Sequence, residues 1–280
     1  MARGLKYNAD LGTNPFKYGF VGGTDNHNGV PSNVEEDNWA VGGHGLTDRT
    51  PEARATAVVE GEMKASDENP GALAAVWATS NTRGAIWDAM QAKETFATSG
   101  PRMKVRVFAG QGFADHYDSY EALVTDGYAK GVPMGQDYKG TEAPQFLLWA
   151  VKDPIGPNLD RIQIIKGWVE NNETHDTVYN VVASGDRLQA DGTVTPIDAP
   201  INMETAAFNT EKGDPELMGV WTDPDWDPKQ EAYYYVRVLQ LPTARWTLYD
   251  ELRGGVKFEP DVKREIVERA WASPIWYEVN

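Results

Sequence analysis

Cysteine is absent from the 280 residues, which removes disulfide staples and thiolate zinc sites while leaving the redox compartment open. Long apolar runs are absent as well. No stretch approaches the ~20 apolar residues of a membrane-spanning helix. The opening Met1-Ala2-Arg3-Gly4-Leu5 lacks the basic-then-apolar leader of a signal peptide, so a soluble chain is expected. Positive charge is scarce: 26 Lys and Arg against 42 Asp and Glu leave a formal charge of −16. That balance argues against nucleic acid as a partner, because phosphates demand basic patches. It would also repel an anionic small molecule unless a bound cation reversed the local field, although surplus acid serves solubility equally well. Histidine is limited to His27, His44, His116 and His175, too scattered for a multi-histidine metal centre.

What is present is core material. A hydrophobic fraction of 41%, with ten Trp and twelve Tyr, suits one large or two medium domains. The first hundred residues read as α/β. An apolar run over residues 18–23 predicts a short buried strand, followed by a Gly-, Asn- and acid-rich loop to about Asp48. Good helix formers predict a helix over 51–64, and Asn81 is a plausible N-cap for an amphipathic helix carrying Ile86, Ala89, Met90 and Lys93. Glu94 at its end reads as a solvated side chain. From Arg102 the period becomes two: Met103, Val105 and Val107 alternate with Arg102, Lys104 and Arg106, the pattern of a half-buried strand. Further strands are expected over 146–151, 161–168, 177–182 and 233–239, separated by Gly-, Pro- and Asp-rich turns. The expected fold is α+β, residues 1–100 being α/β and 101–280 an all-β, sandwich-like domain. One strand with two or three helices cannot cover a parallel sheet, so the first segment reads as the end of a larger unit.

The string Thr24-Asp25-Asn26-His27 carries the most chemistry. A carboxylate and an imidazole two positions apart at a strand tip can aim at one cation; equally, Asp and Asn can simply begin a turn. Arg102, after Thr98-Ser99-Gly100-Pro101, could bind an anion through its guanidinium or pair with a neighbouring acid. His44 could swing over a site or sit in solvent, and His116 and His175 read as surface residues. The stretch Trp221-Thr222-Asp223-Pro224-Asp225-Trp226-Asp227-Pro228 offers alternating carboxylates for calcium, but without the central Gly and terminal Glu of an EF-hand it reads better as a Pro-Asp turn. Trp168, Trp246, Trp271 and Trp276 suit a sandwich core better than a sugar platform.

Several strings together resemble a large bacterial family catalogued only as a domain of unknown function. They are Asn14-Pro15-Phe16-Lys17-Tyr18-Gly19-Phe20 leading to Thr24-Asp25-Asn26-His27, Gly71-Ala72-Leu73-Ala74-Ala75-Val76-Trp77-Ala78, and Glu94-Thr95-Phe96-Ala97-Thr98-Ser99-Gly100-Pro101-Arg102. Asp160-Arg161-Ile162-Gln163-Ile164-Ile165-Lys166-Gly167-Trp168, Tyr234-Tyr235-Val236-Arg237-Val238-Leu239 and Glu268-Arg269-Ala270-Trp271-Ala272-Ser273-Pro274-Ile275-Trp276-Tyr277 continue it. The resemblance implies that full members begin with a region similar to the PHP (polymerase and histidinol phosphatase) metallohydrolases, whose distorted βα barrel holds metals at its strand ends. Their His-x-His motif belongs to an amino-terminal part that this chain lacks, and Asp25 with His27 resembles their last Asp-x-His. The chain is therefore expected to supply the final barrel elements (1–100) and a following β-sandwich-like domain (101–280). On that expectation it is an incomplete metal-dependent hydrolase, acting on a phosphoester or other small molecule, with divalent Zn, Mn or Fe at Asp25 and His27. Self-association through unpaired strand edges is the accompanying expectation. The alternative is a non-catalytic β-rich binding or structural module.

Overall fold

The computed structural model describes residues 1–25, 29–30, 32–39, 50–59 and 63–279. Helix α1 (Ala2–Leu11) stops at Gly12, whose φ of 72° supplies the left-handed cap. Residues 12–25 then run without helix or strand, so the strand expected over 18–23 does not form. Tyr18 and Val21 are exposed. Glycines at 19, 22 and 23 leave too few side chains to pack a ladder. Single hydrogen bonds pin the segment instead: Phe20 N donates to Ser273 Oγ at 2.8 Å, and Ala72 N to Gly23 O at 3.0 Å.

Thr50 caps α2 (Pro51–Thr56), its hydroxyl accepting from Ala53 N. The helix expected over 51–64 ends there, because β-branched Thr56 and Val58 favour extended backbone. Val58–Val59 (β1) pairs antiparallel with Met63–Lys64 (β2). After β3 (Leu73–Val76) comes α3 (Arg83–Gln91), capped by Thr82 rather than Asn81. Next are β4 (Thr95–Thr98), β5 (Lys104–Gly110), α4 (Tyr120–Lys130), β6 (Gly131–Pro133), β7 (Asp137–Tyr138) and β8 (Gln145–Val151). The long hairpin β9 (Leu159–Glu170) and β10 (Glu173–Ala183) follows, then β11 (Glu216–Thr222) and β12 (Ala232–Gln240). The chain closes with β13 (Thr243–Ala244), α5 (Trp246–Gly254), β14 (Glu265–Ile266), β15 (Arg269–Ala272) and β16 (Ile275–Tyr277).

The result is a mixed α+β fold dominated by antiparallel sheets, and among the described residues no sheet closes into a barrel. The main sheet has the order β10-β9-β12-β15-β4-β3, with β16 beside β12 and β7 beside β16; a second sheet has the order β11-β8-β5-β6. Strands from both sides of Gly100 thus share the main sheet. Its inner face (Ile162, Ile164, Val236, Val238, Ala270) packs on Val105, Val107, Phe146 and Leu148 of the second sheet in one core. On the far side of the second sheet, Phe108, Leu147 and Trp149 meet Leu123 of α4.

Both faces of β5 are therefore covered, and this corrects two expectations. Arg106, expected in solvent, is buried with its guanidinium 4.4 Å over the Trp77 ring. Glu94, expected to be solvated, pairs with it at 3.1 Å, and the Tyr128 hydroxyl donates to the same carboxylate at 2.5 Å. The carboxylate, Tyr120 and Tyr128 satisfy a charge that burial alone would make costly. No helix among the described residues is long and apolar enough to cross a membrane.

Candidate functional site

One end of the main sheet collects the chemistry. It comprises the start of β3, the residues after β4, the residue before β15 and the end of β12. The β4–β15 register continues past Thr98↔Ala270, so that Ser99 N donates to Arg269 O and Arg269 N to Ser99 Oγ, both at 2.8 Å. This places the Ser99 hydroxyl against Glu268, to which it donates a hydrogen bond. Glu268 is 3% exposed, and burial raises its carboxyl to about 7 despite Ser99 and the charges of Arg269 and Arg245.

A second carboxylate arrives from residues 32–39. Glu36 accepts a hydrogen bond from Trp246 N at 2.6 Å. Burial, reinforced by the charge of Glu268, raises it to about 8, against Trp246 N and Arg245. Arg245 donates to Ser66 O at 2.7 Å and to Glu68 O, so backbone carbonyls hold this cation in place.

Two glycines let loops cross the sheet end. Gly71 has φ 104°, and a Cβ there would lie 2.4 Å from Thr24 Cα. At Gly100, φ is 146° and a Cβ would come 3.0 Å from Val34 O. Extending the Leu73↔Thr98 register by two residues sets these glycines opposite each other, so the two crossings lie side by side.

Asp25 follows the first crossing. It is exposed with φ 50°, a left-handed conformation that Asp tolerates and that turns the chain. His27 and His44 lie outside the described residues. Arg102 follows the second crossing: its backbone N donates to Asp153 Oδ2 at 2.6 Å, and its largely exposed guanidinium lies 3.7 Å from Glu35 Oε1. The structure thus brings Asp25 and Arg102 to the same sheet end. Among the described residues no group of three or more His, Asp or Glu side chains is placed to hold a metal ion. Asp25 is a suitable donor for a hard cation, but a single carboxylate among the described residues does not make a metal centre.

Glu36, Glu268 and the Ser99 hydroxyl were missed in the sequence. Ser99 and Glu268 lie inside the family-like strings, whereas Glu36 sits in an acid-rich loop with no distinguishing signal. His116 is exposed beside Asp118, and His175 stacks on Trp168 at 5.5 Å. In the 221–228 turn, Lys166 supplies the positive charge. Its ammonium bonds Asp223 Oδ2 and Asp225 O, both at 2.7 Å, and the Tyr234 hydroxyl donates to the same Asp223 oxygen. Trp246 and Trp276 are core residues.

The family described as "Protein of unknown function (DUF3604)" matches residues 1–279. The chain belongs to that family. No curated protein and no solved structure matches it. In this DUF3604 chain, the buried Glu268 and the partly buried Glu36, with carboxyls raised to about 7 and about 8, lie at the same sheet end as the exposed Arg102 guanidinium, a combination suited to moving protons next to an anion.

Proposed function

We propose that this sheet end is the chain's part of a hydrolase site, of the metal-dependent, PHP-like kind that the sequence resemblance implies. The supporting observation is the convergence of the Asp25 segment, Arg102 and the Ser99–Glu268 pair on one edge. Glu268, whose proton is held near neutral pH by burial, is the general acid–base group. Arg102 receives the negative charge of a small-molecule substrate, with a phosphoester as the substrate class. A divalent ion at Asp25 and His27, if bound, would supply a hydroxide at neutral pH and polarise the bond under attack. An incomplete PHP-like barrel over 1–100 and a sandwich-like domain over 101–280 belong to the same proposal, as does self-association.

The test combines metal content by mass spectrometry with hydrolysis of p-nitrophenyl phosphate and bis-p-nitrophenyl phosphate. Wild type, Asp25→Ala, His27→Ala and Glu268→Gln are compared. Metal lost in the first two variants, and turnover lost in all three, is the expected result. Equal metal in wild type, Asp25→Ala and His27→Ala removes the metal-dependent reading. A second reading, a non-catalytic binding or structural module, is favoured by the structural partners that Glu36 and Glu268 already hold, Trp246 N and Ser99. Absence of turnover with Glu268→Gln as stable as wild type would support it.

A further inference from the structure

Three adjacent strands lay arginines on the outer face of the main sheet. The register sets Leu239 opposite both Arg161 on β9 and Arg269 on β15. Arg237, two residues before Leu239, shares that face because alternate strand residues do. With strands ~4.8 Å apart and alternate residues ~6.7 Å apart along a strand, the three Cα atoms lie within about 10 Å of one another, inside the reach of arginine side chains.

Among the described residues, counter-charge falls short of these three guanidiniums. Arg237 is positioned by Gln163, whose Oε1 accepts from Arg237 Nε at 2.9 Å and whose Nε2 donates to Asn180 Oδ1 at 2.8 Å. Among the described residues, the two Nη groups of Arg237 and the whole guanidinium of Arg269 have no hydrogen-bond or ion-pair partner. Arg161 does bond Asp160, but that carboxylate is divided with Arg187, and Arg161 Nε is buried without a partner. Glu268, beside Arg269, is pushed towards its neutral form by burial. After burial itself, Arg269 and Arg161 are the groups that push Arg237 below its usual value. A chain with 42 carboxylates that leaves two of three clustered guanidiniums unmatched has built an electropositive patch against its own overall field.

We propose that Arg161, Arg237 and Arg269 form a binding site for a tetrahedral dianion, inorganic sulfate or the phosphate group of a small-molecule ligand. The planar guanidinium fork matches two oxygens of such a group, and three forks around one point match its charge. Arg269 N is bonded to Ser99 Oγ, so the site adjoins the acid–base pair. Only the word substrate would rest on the hydrolase reading; anion binding stands without it.

Isothermal titration calorimetry of the full chain at low ionic strength tests this, with phosphate, sulfate and acetate as titrants. Arg237→Gln and Arg269→Gln should each weaken the dianion at least tenfold, Arg83→Gln on α3 should leave it unchanged, and acetate should give no heat. The ratio of phosphate to sulfate affinity identifies the preferred source of the charge. Circular dichroism detects a misfolded variant, in which case Arg237→Lys, which keeps the charge and loses the fork, carries the test with a severalfold loss. Binding that ignores both glutamine variants, or no heat from either dianion at millimolar concentration, overturns the proposal. Dianion binding without turnover would retire the hydrolase reading and leave this site standing. Turnover without dianion binding would do the reverse.

Discussion

The Ser99 hydroxyl donates to the buried carboxylate of Glu268 across the β4–β15 seam. It therefore links a turn from the first third of the chain to its last strands. With Glu36 nearby, the seam holds two carboxyls raised to about 7 and about 8 from an unfolded value of 4.5. Between pH 4.5 and 8 the folded chain keeps protons that the unfolded chain has released. Stability therefore falls as pH rises through that window, by at most about 1.4 kcal/mol per pH unit for each group. Thermal unfolding from pH 5 to 8 should show a declining Tm in wild type and a flatter profile in Glu36→Gln and Glu268→Gln. Identical slopes in all three would show that these groups are not displaced.

The Arg106 cluster predicts an asymmetry. Glu94→Ala removes the carboxylate and strands a buried guanidinium, which typically costs about 3–5 kcal/mol. Replacing Arg106 and Glu94 together with Met and Leu should cost clearly less than Glu94→Ala alone. Urea denaturation measures both; equal losses would mean that solvent reaches the guanidinium.

Lys166 and Asp223 predict how the 221–228 turn responds to metals. Asp223→Ala leaves a buried ammonium unpaired, at a cost on the order of 3–5 kcal/mol. Tyr234 loses its acceptor in the same variant. Because the ammonium bonds Asp223 and Asp225 O, millimolar calcium should not change the fluorescence of Trp221 and Trp226, isolated by Trp→Phe replacement elsewhere. A saturable calcium response would contradict this.

Gly127 tests packing against propensity. In a helix interior Gly→Ala is ordinarily worth about 1 kcal/mol of added stability. Here the new methyl would lie 2.5 Å from the Phe108 ring, which is fully buried. Overpacking costs about 1–3 kcal/mol, so Gly127→Ala should lower Tm. A higher Tm would show that α4 can lift away from β5.

Much of the β framework was legible because its strands alternate, or run apolar, over seven or more residues, as in β8 and β12. Arg106 was misread because alternation reports one covered face, and α4 hides the other. The run at 18–23 looked like a strand from its apolar residues, but its glycines and two tethering hydrogen bonds give an exposed coil. For the site, Asp25 and Arg102 stood out by residue type and neighbours. Glu268 owes its character to burial, and Glu36 to desolvation and the charge of Glu268, none of which a linear chain displays. The arginine patch was equally hidden: its members are 76 and 32 residues apart in sequence (161 to 237, 237 to 269) and meet only through strand register.

β15 lies between β12 and β4 although Arg269–Ala272 follows every other strand of that sheet except β16. Until it leaves the ribosome, the β3–β4 hairpin cannot join the rest of the sheet. Assembly of this sheet must therefore wait for β15, and the long-range pairing makes it slow. During that interval the facing edges of β4 and β12 stand unpaired, which exposes the growing chain to wrong strand pairing.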